Sequence, residues 1–294
     1  MLAFLSLLFQ WVAYCKRSFY RWGWREAARA PRPVVSIGNL SFGGTGKTPT
    51  VIALCKALHA RGLKAVVLTR GYRRSHGQPT ELVPKDADAS RFGDEPVLIA
   101  SRTDSPVVVD AKRTRAAHWA MRLKPDVFLL DDGFSHLKLF RDLNVVLLAK
   151  DDMLAVARRR ELRRALRDAD FVCSLERDIV DPPSGMMRID RKITGFRHGT
   201  PEGRITAMCA IAHPERFVDD LTVAGFAPMQ TRFFHDHHPF PEGALEEALQ
   251  TSDSVVITEK DAVKLPSLPV RVYVAISEVV VPDALVDAIC GLVK

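Results

Sequence analysis

One stretch constrains this 294-residue chain more than any other. Residues 36–49 read Ser-Ile-Gly-Asn-Leu-Ser-Phe-Gly-Gly-Thr-Gly-Lys-Thr-Pro, after the apolar run Val34-Val35 and before a helical pattern over 50–60. Strand, glycine loop, Lys-Thr and helix is the order a phosphate cradle needs. Small residues let backbone N–H groups turn toward phosphate oxygens, and a helix N-terminus adds partial positive charge. Lys47 can reach the β- and γ-phosphates, and the Thr48 hydroxyl can ligate Mg²⁺. Ser41 stands where the strict pattern has its first glycine, while Gly43, Gly44, Thr45, Gly46, Lys47 and Thr48 fit. A solvent-facing glycine turn is the plain alternative; the strand–loop–helix context favours a bound nucleoside triphosphate.

The length suits a large α/β unit with a smaller one, and 47% apolar residues supply a core. A formal net charge of +7 points to an anionic partner: nucleic acid, acidic phospholipid or a phosphorylated substrate. Five cysteines lie scattered with no C-x-x-C spacing, as in a reducing compartment where most are buried thiols.

The first fifteen residues, MLAFLSLLFQWVAYC, are followed by Lys16, Arg17, Arg21 and Arg25 interleaved with Phe19, Tyr20, Trp22 and Trp24. The apolar run is shorter than the roughly 20 residues that span a bilayer. A secretory signal places its charges before the apolar run, not after it. Rings and basic groups side by side suit the headgroup region of a membrane surface. The competing reading is an ordinary helix packed on the body.

Beyond the loop, strand patterns at 65–69, 107–110, 127–130, 144–149 and 171–174 alternate with helical patterns at 95–102, 114–123 and 158–168. Such alternation predicts a parallel sheet with helices on both faces and ligands at the strand C-termini. Residues 181–203 read as a linker containing a hairpin. A second alternation follows: strands at 205–211, 255–258 and 270–276, helices at 214–224, 242–249 and 283–292. The expected division is an N-terminal membrane-associating helix at 1–28, a phosphate-loop core at 29–185, a linker at 186–204 and a smaller α/β unit at 205–294, with substrate in the cleft between the two units.

Five further clusters can carry chemistry. Asp131 and Asp132 end an apolar strand, where phosphate-loop enzymes keep a Mg²⁺-holding acid. Gly93-Asp94-Glu95-Pro96 opens a helix; its acids either cap it or serve as a proton acceptor beside a metal. His235-Asp236-His237-His238 lacks the ligand spacing of a zinc site and reads better as a charge-coupled histidine and acid that tunes a base. Thr258-Glu259-Lys260-Asp261-Ala262-Val263-Lys264 is a nucleotide contact or a charged surface turn. Arg70-Gly71-Tyr72 offers phosphate or sugar recognition.

These blocks together, Gly38-Asn39-Leu40, Gly43 to Pro49, Arg70-Gly71-Tyr72, Gly93 to Pro96, Asp131-Asp132-Gly133-Phe134, Asp236-His237-His238 and Thr258 to Lys264, resemble the tetraacyldisaccharide 4′-kinase family over nearly the whole chain. The resemblance implies two α/β/α units joined by a hairpin-like linker. It also implies transfer of the γ-phosphate of ATP, with Mg²⁺, to the 4′-hydroxyl of a tetraacylated glucosamine disaccharide 1-phosphate. The place of reaction would be the cytoplasmic face of a bacterial inner membrane, with the N-terminal helix peripheral on an anionic surface. Nucleic acid and an obligate protein partner have no part in that reading. By the same resemblance Lys47 and Thr48 serve phosphate and metal, and Gly43, Gly44, Thr45, Gly46 and Lys260 contact nucleotide. Asp94 is the base with His237 or His238 beside it, and Glu95, Asp131 and Asp132 organise Mg²⁺. Asn39, Arg70, Tyr72, Arg160 and Glu161 face substrate. Ser135, Arg73 and Leu162 depart from the family pattern without touching the phosphate loop or the base.

Two other classes share the loop: an NTPase that uses hydrolysis as a switch, and a membrane-bound nucleotide-binding scaffold without chemistry. Turnover with a lipid hydroxyl acceptor separates the three.

Overall fold

The computed structural model describes residues 2–41, 43–71, 79–150, 152, 159–176 and 179–294. Helix α1 (Leu2–Arg21) precedes β1 (Val34–Asn39), from which the phosphate loop leads into α2 (Lys47–Ala60). The path continues through β2 (Ala65–Thr69), β3 (Glu81–Leu82), α3 (Ala89–Phe92), α4 (Asp94–Arg102), β4 (Val107–Val109), α5 (Arg113–Ala120) and β5 (Val127–Asp131). β6 (Leu143–Leu147), β7 (Phe171–Ser174) and β8 (Met187–Arg188) complete a sheet ordered β3-β4-β2-β5-β1-β6-β7-β8, parallel except at β3.

Its strands are near-continuous apolar runs because both faces are covered. Alternate residues divide between the faces: Val35, Val67 and Leu129 meet Val51, Leu54 and Leu58 of α2, whereas Val34, Val66 and Phe128 meet Ala116, Ala117 and Ala120 of α5. The period of two places every second side chain on the same helix layer.

A second sheet is ordered β11-β10-β12-β13-β9. It comprises β9 (Asp190–Arg197), β10 (Ile205–Cys209), β11 (Gln230–Phe233), β12 (Ser254–Thr258) and β13 (Val272–Val280), with only β9 antiparallel. Phe217 and Leu221 of α6 (Pro214–Val223) cover one face, and Ala244, Leu245 and Ala248 of α7 (Ala244–Thr251) the other. Short α8 (Glu259–Ala262) follows β12, and α9 (Asp283–Val293) ends the chain. The α/β class with a parallel sheet and a second, smaller sheet is as the sequence led us to expect.

Several local expectations fail. The helical pattern at 158–168 is a 3-10 helix only over Arg163–Asp168, because Arg159 to Glu161 bond to Leu40 and Ser41 beside the phosphate loop instead of to one another. The segment read as linker contains β9, whose seven paired residues make it an edge of the small sheet. Its polar, charged alternation is that of a strand with one face in water. Helix α9, expected with the smaller unit, packs Leu285, Val286 and Ile289 into the core around α2. All five cysteines are free, and Cys55, Cys173 and Cys209 are buried.

Arg17 is a buried anchor of helix α1, with Arg21 also pairing to Asp168. Arg17 pairs with Glu161 at 3.1 Å and Asp168 at 3.0 Å, donates to the Phe134 carbonyl and lies over the Phe134 ring. Trp11, Val12, Phe19, Trp22 and Trp24 stay exposed. Among the described residues no helix is long and apolar enough to cross a membrane.

Candidate active site

The phosphate loop is shaped by two glycines. Gly46, at φ 84°, turns the chain into α2; a Cβ there would also meet Leu175 at 2.8 Å. No side chain caps α2, so its first N–H groups face outward for an anion. At Gly38 a Cβ would lie 2.4 Å from Phe134 Cβ. That close approach lets the turn after β5 bond back to β1, Gly133 N–H donating to the Ile37 carbonyl at 3.0 Å. The consequence is chemical: Asp132, held at φ 52°, comes within 3.5 Å of Lys47 Nζ. Arg160 closes on the same carboxylate and donates to Asn39 Oδ1. Burial raises the Asp132 pKa, but Lys47 and Arg160 outweigh it and hold this carboxyl far below the usual range.

Asp131 is the opposite case. Fully buried and beside Glu95 and Asp132, it is pushed up to about 7 despite Lys47 and a 3.2 Å hydrogen bond from Thr69. Its Oδ1 is buried with no hydrogen-bond partner. A buried acid with a spare lone pair, repelled by two other acids, is a fit for a cation. Among the described residues no three acidic or soft side chains form a closed metal cage. Mg²⁺ does not require one, since it keeps waters and phosphate oxygens as ligands. Asp131, Asp132, Glu95 and the Thr48 hydroxyl are the groups present that fit it.

The second cluster is assembled across the two sheets. Asp94 opens α4 on the large sheet, and His237 lies in the loop after β11 on the small one. His237 Nδ1 stands 2.8 Å and 3.1 Å from the two Asp94 oxygens. The loop is fixed by His237 N–H donating to the Ala210 carbonyl, with His237 at φ 65°. Buried Asp261 ties α8 to the same strand end by accepting from Ala210 N–H. Lys260 of α8 lies 3.3 Å from His237 Nε2, 3.8 Å from Asp94, 3.6 Å from Glu95 and 3.2 Å from Asp236. Burial works against its charge, but Glu95, Asp94 and Asp236 together raise its pKa. For Asp94 burial favours the neutral acid, and the His237 hydrogen bond and Lys260 charge reverse that, lowering its pKa. An ionised Asp94 accepts from Nδ1–H, and Nε2 then accepts from the Lys260 ammonium. The Asp94 carboxylate and the Lys260 ammonium together fix how the ring is turned.

Of the expected residues, Lys47, Thr48, Asn39, Arg160 and Asp132 gather at the loop, and Asp94, Glu95, His237 and Lys260 at the second cluster. His238 is exposed and turns toward His235, with 5.9 Å between ring centroids, so His237 is the histidine at Asp94. Glu161 faces Arg17 and α1 rather than the loop. Arg70 is exposed at the end of β2; Tyr72 and Arg73 lie outside the described residues. Lys260 sits among the acids around Asp94 rather than along the phosphate loop.

Two arginines escaped sequence reasoning. Arg216 of α6 donates to the Gly44 carbonyl at 3.0 Å and pairs with Glu176, so the small sheet holds the loop from above. Nothing local marks it, since it lies on one face of an ordinary amphipathic helix. Arg113 is buried; burial lowers its pKa to about 10 against the attraction of Asp131 and Asp132. It follows the C-terminal end of a parallel strand, the same rule that singles out Asp131, and was legible on that basis. Between the loop and the small sheet lies a cleft of about 870 Å³, lined by Gly43, Lys150, Glu176, Arg191, His213 and Arg216 among others.

The sequence and fold have relatives. A tetraacyldisaccharide 4′-kinase of Chromobacterium violaceum is 37% identical over 287 residues, covering 90% of this chain and 83% of the relative. One from Photobacterium profundum is 36% identical, covering 88% and 79%. The crystal structure of LpxK from Aquifex aeolicus in complex with ATP superposes with a TM-score of 0.79 at 27% identity, covering 99% of this chain and 98% of that one. The family model for tetraacyldisaccharide-1-P 4′-kinase matches residues 1–294, and the chain belongs to that family.

Proposed function

We propose that this protein transfers the γ-phosphate of ATP to the 4′-hydroxyl of a tetraacyldisaccharide 1-phosphate, with Asp94 as the base. The observation that carries the assignment of the base is the 2.8 Å contact between Asp94 and His237, made across two sheets beside the acids that face Lys47. A sugar hydroxyl is a weak nucleophile, and a positioned carboxylate takes its proton as the bond to phosphorus forms. The new O–P bond forms as the bond from the γ-phosphorus to its bridging oxygen breaks, and ADP leaves. Asp94 receives the proton, His237 holds the carboxylate in one orientation, and Lys260 balances Glu95 and Asp236. Lys47 and the N–H groups at the start of α2 stabilise charge on the transferred group. Asp131, Asp132, Thr48 and Glu95 would hold Mg²⁺, which would supply charge neutralisation at the phosphates. The nucleoside fits the cleft between the loop and α6, where Arg216 steadies the loop.

The exposed Trp22 and Trp24, their rings 5.5 Å apart beside Arg21 and Arg25, support contact with an anionic membrane surface at the inner-membrane cytoplasmic face. Replacing both by Ser lowers co-sedimentation with phosphatidylglycerol vesicles; unchanged co-sedimentation argues against it. The activity itself is tested by incubating the protein with ATP, Mg²⁺ and tetraacyldisaccharide 1-phosphate in detergent. Gain of one phosphate on the lipid is expected. ATP hydrolysis with no lipid product would favour the switch reading.

A further inference from the structure

Two neighbouring residues of α8 take hold of α4 at opposite ends. Lys260 reaches its first turn, at Asp94 and Glu95. Glu259 reaches its last residue, Arg102, in a pair whose side chains are only 10% and 9% exposed. The nine residues of α4 put those ends roughly 12 Å apart at 1.5 Å per residue. Glu259 accepts two further hydrogen bonds, from Arg197 of β9 at 3.1 Å and from Ser277 N–H of β13 at 3.4 Å. Arg102 also donates to Glu278 of β13 at 2.5 Å, and Glu278 holds Lys56 of α2 at 2.8 Å. A chain of charges thus runs from α2 through β13, α4 and α8 to β9. Among the described residues, no hydrogen bond or ion pair joins Glu259 or Arg102 to Asp94 or to the phosphate loop.

We propose that the Glu259–Arg102 pair is a latch that fixes the register of α8 along α4 and thereby sets Lys260 and His237 against Asp94. A buried ion pair is a poor source of net stability, because desolvation offsets the attraction. Its separation is nonetheless costly, so it selects one geometry. A slide of one residue along α4 is about 1.5 Å. That would part Glu259 from Arg102 and carry Lys260, already 3.6–3.8 Å from Glu95 and Asp94, out of reach of one or both. Misplacement of a reacting group by about 1 Å can cost about 10²-fold in rate. Glu259 and Arg102 are positioning residues: they act through His237 and Lys260 and touch no reacting atom.

The inference rests on Asp94 and His237 working as a pair, and the test separates the two ideas. Turnover at saturating ATP and lipid acceptor is measured for the full chain, Glu259→Gln, His237→Ala and the double variant, with melting temperature alongside. Glu259→Gln keeps the side chain's size and removes the charge on which its donors converge. It is expected to lower kcat about 10- to 100-fold, to lower the melting temperature as well because Arg102 loses a buried partner while the protein stays folded at the assay temperature, and to cost little further once His237 is Ala. Arg102→Gln is expected to repeat that pattern, so misfolding of one variant leaves the other decisive. Wild-type kcat in Glu259→Gln, or a full multiplicative loss in the double variant, overturns the latch. Wild-type kcat in His237→Ala overturns the pairing of Asp94 with His237 and the latch with it.

Discussion

The phosphate loop and the Asp94 cluster both sit at strand ends, but they are assembled in different ways. The charged groups around Lys47, namely Asp132 and Arg160, come from the large sheet or a segment bonded to it, and the small sheet adds Arg216 on the Gly44 carbonyl. Asp94, by contrast, meets His237 and Lys260 only where the small sheet comes against α4. A site on one parallel sheet is set as soon as that sheet folds. A site shared by two sheets is only as accurate as their docking, which gives phosphate binding and proton abstraction different sensitivities to distant substitutions.

Removing Lys47 should have the largest effect. Lys47→Ala leaves the fold intact, since among the described residues the side chain pairs only with Asp132, and lowers turnover about 10³-fold or below detection, the scale of losing a preorganised charge stabiliser. Near-normal turnover in a folded variant would break the phosphate-loop half of the comparison.

Arg216→Ala tests the hydrogen bond by which the small sheet holds the loop. A charge-assisted hydrogen bond contributes about 1.5–3 kcal/mol, so KM for ATP should rise by about tenfold or more, with kcat less affected. An unchanged KM for ATP would mean that the small sheet serves the Asp94 cluster alone.

The smallest effect is on stability. Burial, with help from Glu95 and Asp132, pushes Asp131 up to about 7 in the folded protein, above its unfolded value. The folded state then binds that proton more tightly than the unfolded one. The stability tied to Asp131 is therefore fully present below about pH 4 and is lost as pH rises through about 7. Without Mg²⁺, wild type should lose melting temperature relative to Asp131→Asn between pH 5 and pH 8, and Mg²⁺ should reduce that loss. A pH-independent difference between the two proteins would show that Asp131 does not carry the buried charge.

The same contrast explains what the sequence made legible. The loop, Asp131 and Asp132 follow from local rules: an apolar strand, a turn and a polar residue at the strand end. Strand β2, buried along its whole length, and β7 stand out as apolar runs with their limits intact. The choice between His237 and His238 was invisible, because it depends on a left-handed turn at His237 and on which ring the docking of two sheets turns inward. Strand β9 was hidden by its charged outer face, and the non-helical path of Arg159 to Glu161 by a helix-like composition that tertiary bonds to the loop override. Arg216 and Arg102 lie in unremarkable helical sequence, and Glu259 in a block whose task the sequence left open; only the packing of the two sheets pairs them.

The most direct test of the account is the double-variant cycle of Asp94→Ala and His237→Ala, read as kcat at saturating ATP and lipid acceptor. General-base assistance is typically worth about 10²–10⁴-fold. Each single variant should lose a factor in that range, and the double variant should be barely worse than either, because the two side chains act as one unit. A double loss equal to the product of the two single losses, or a wild-type rate in Asp94→Ala, would contradict a base assembled across the two sheets.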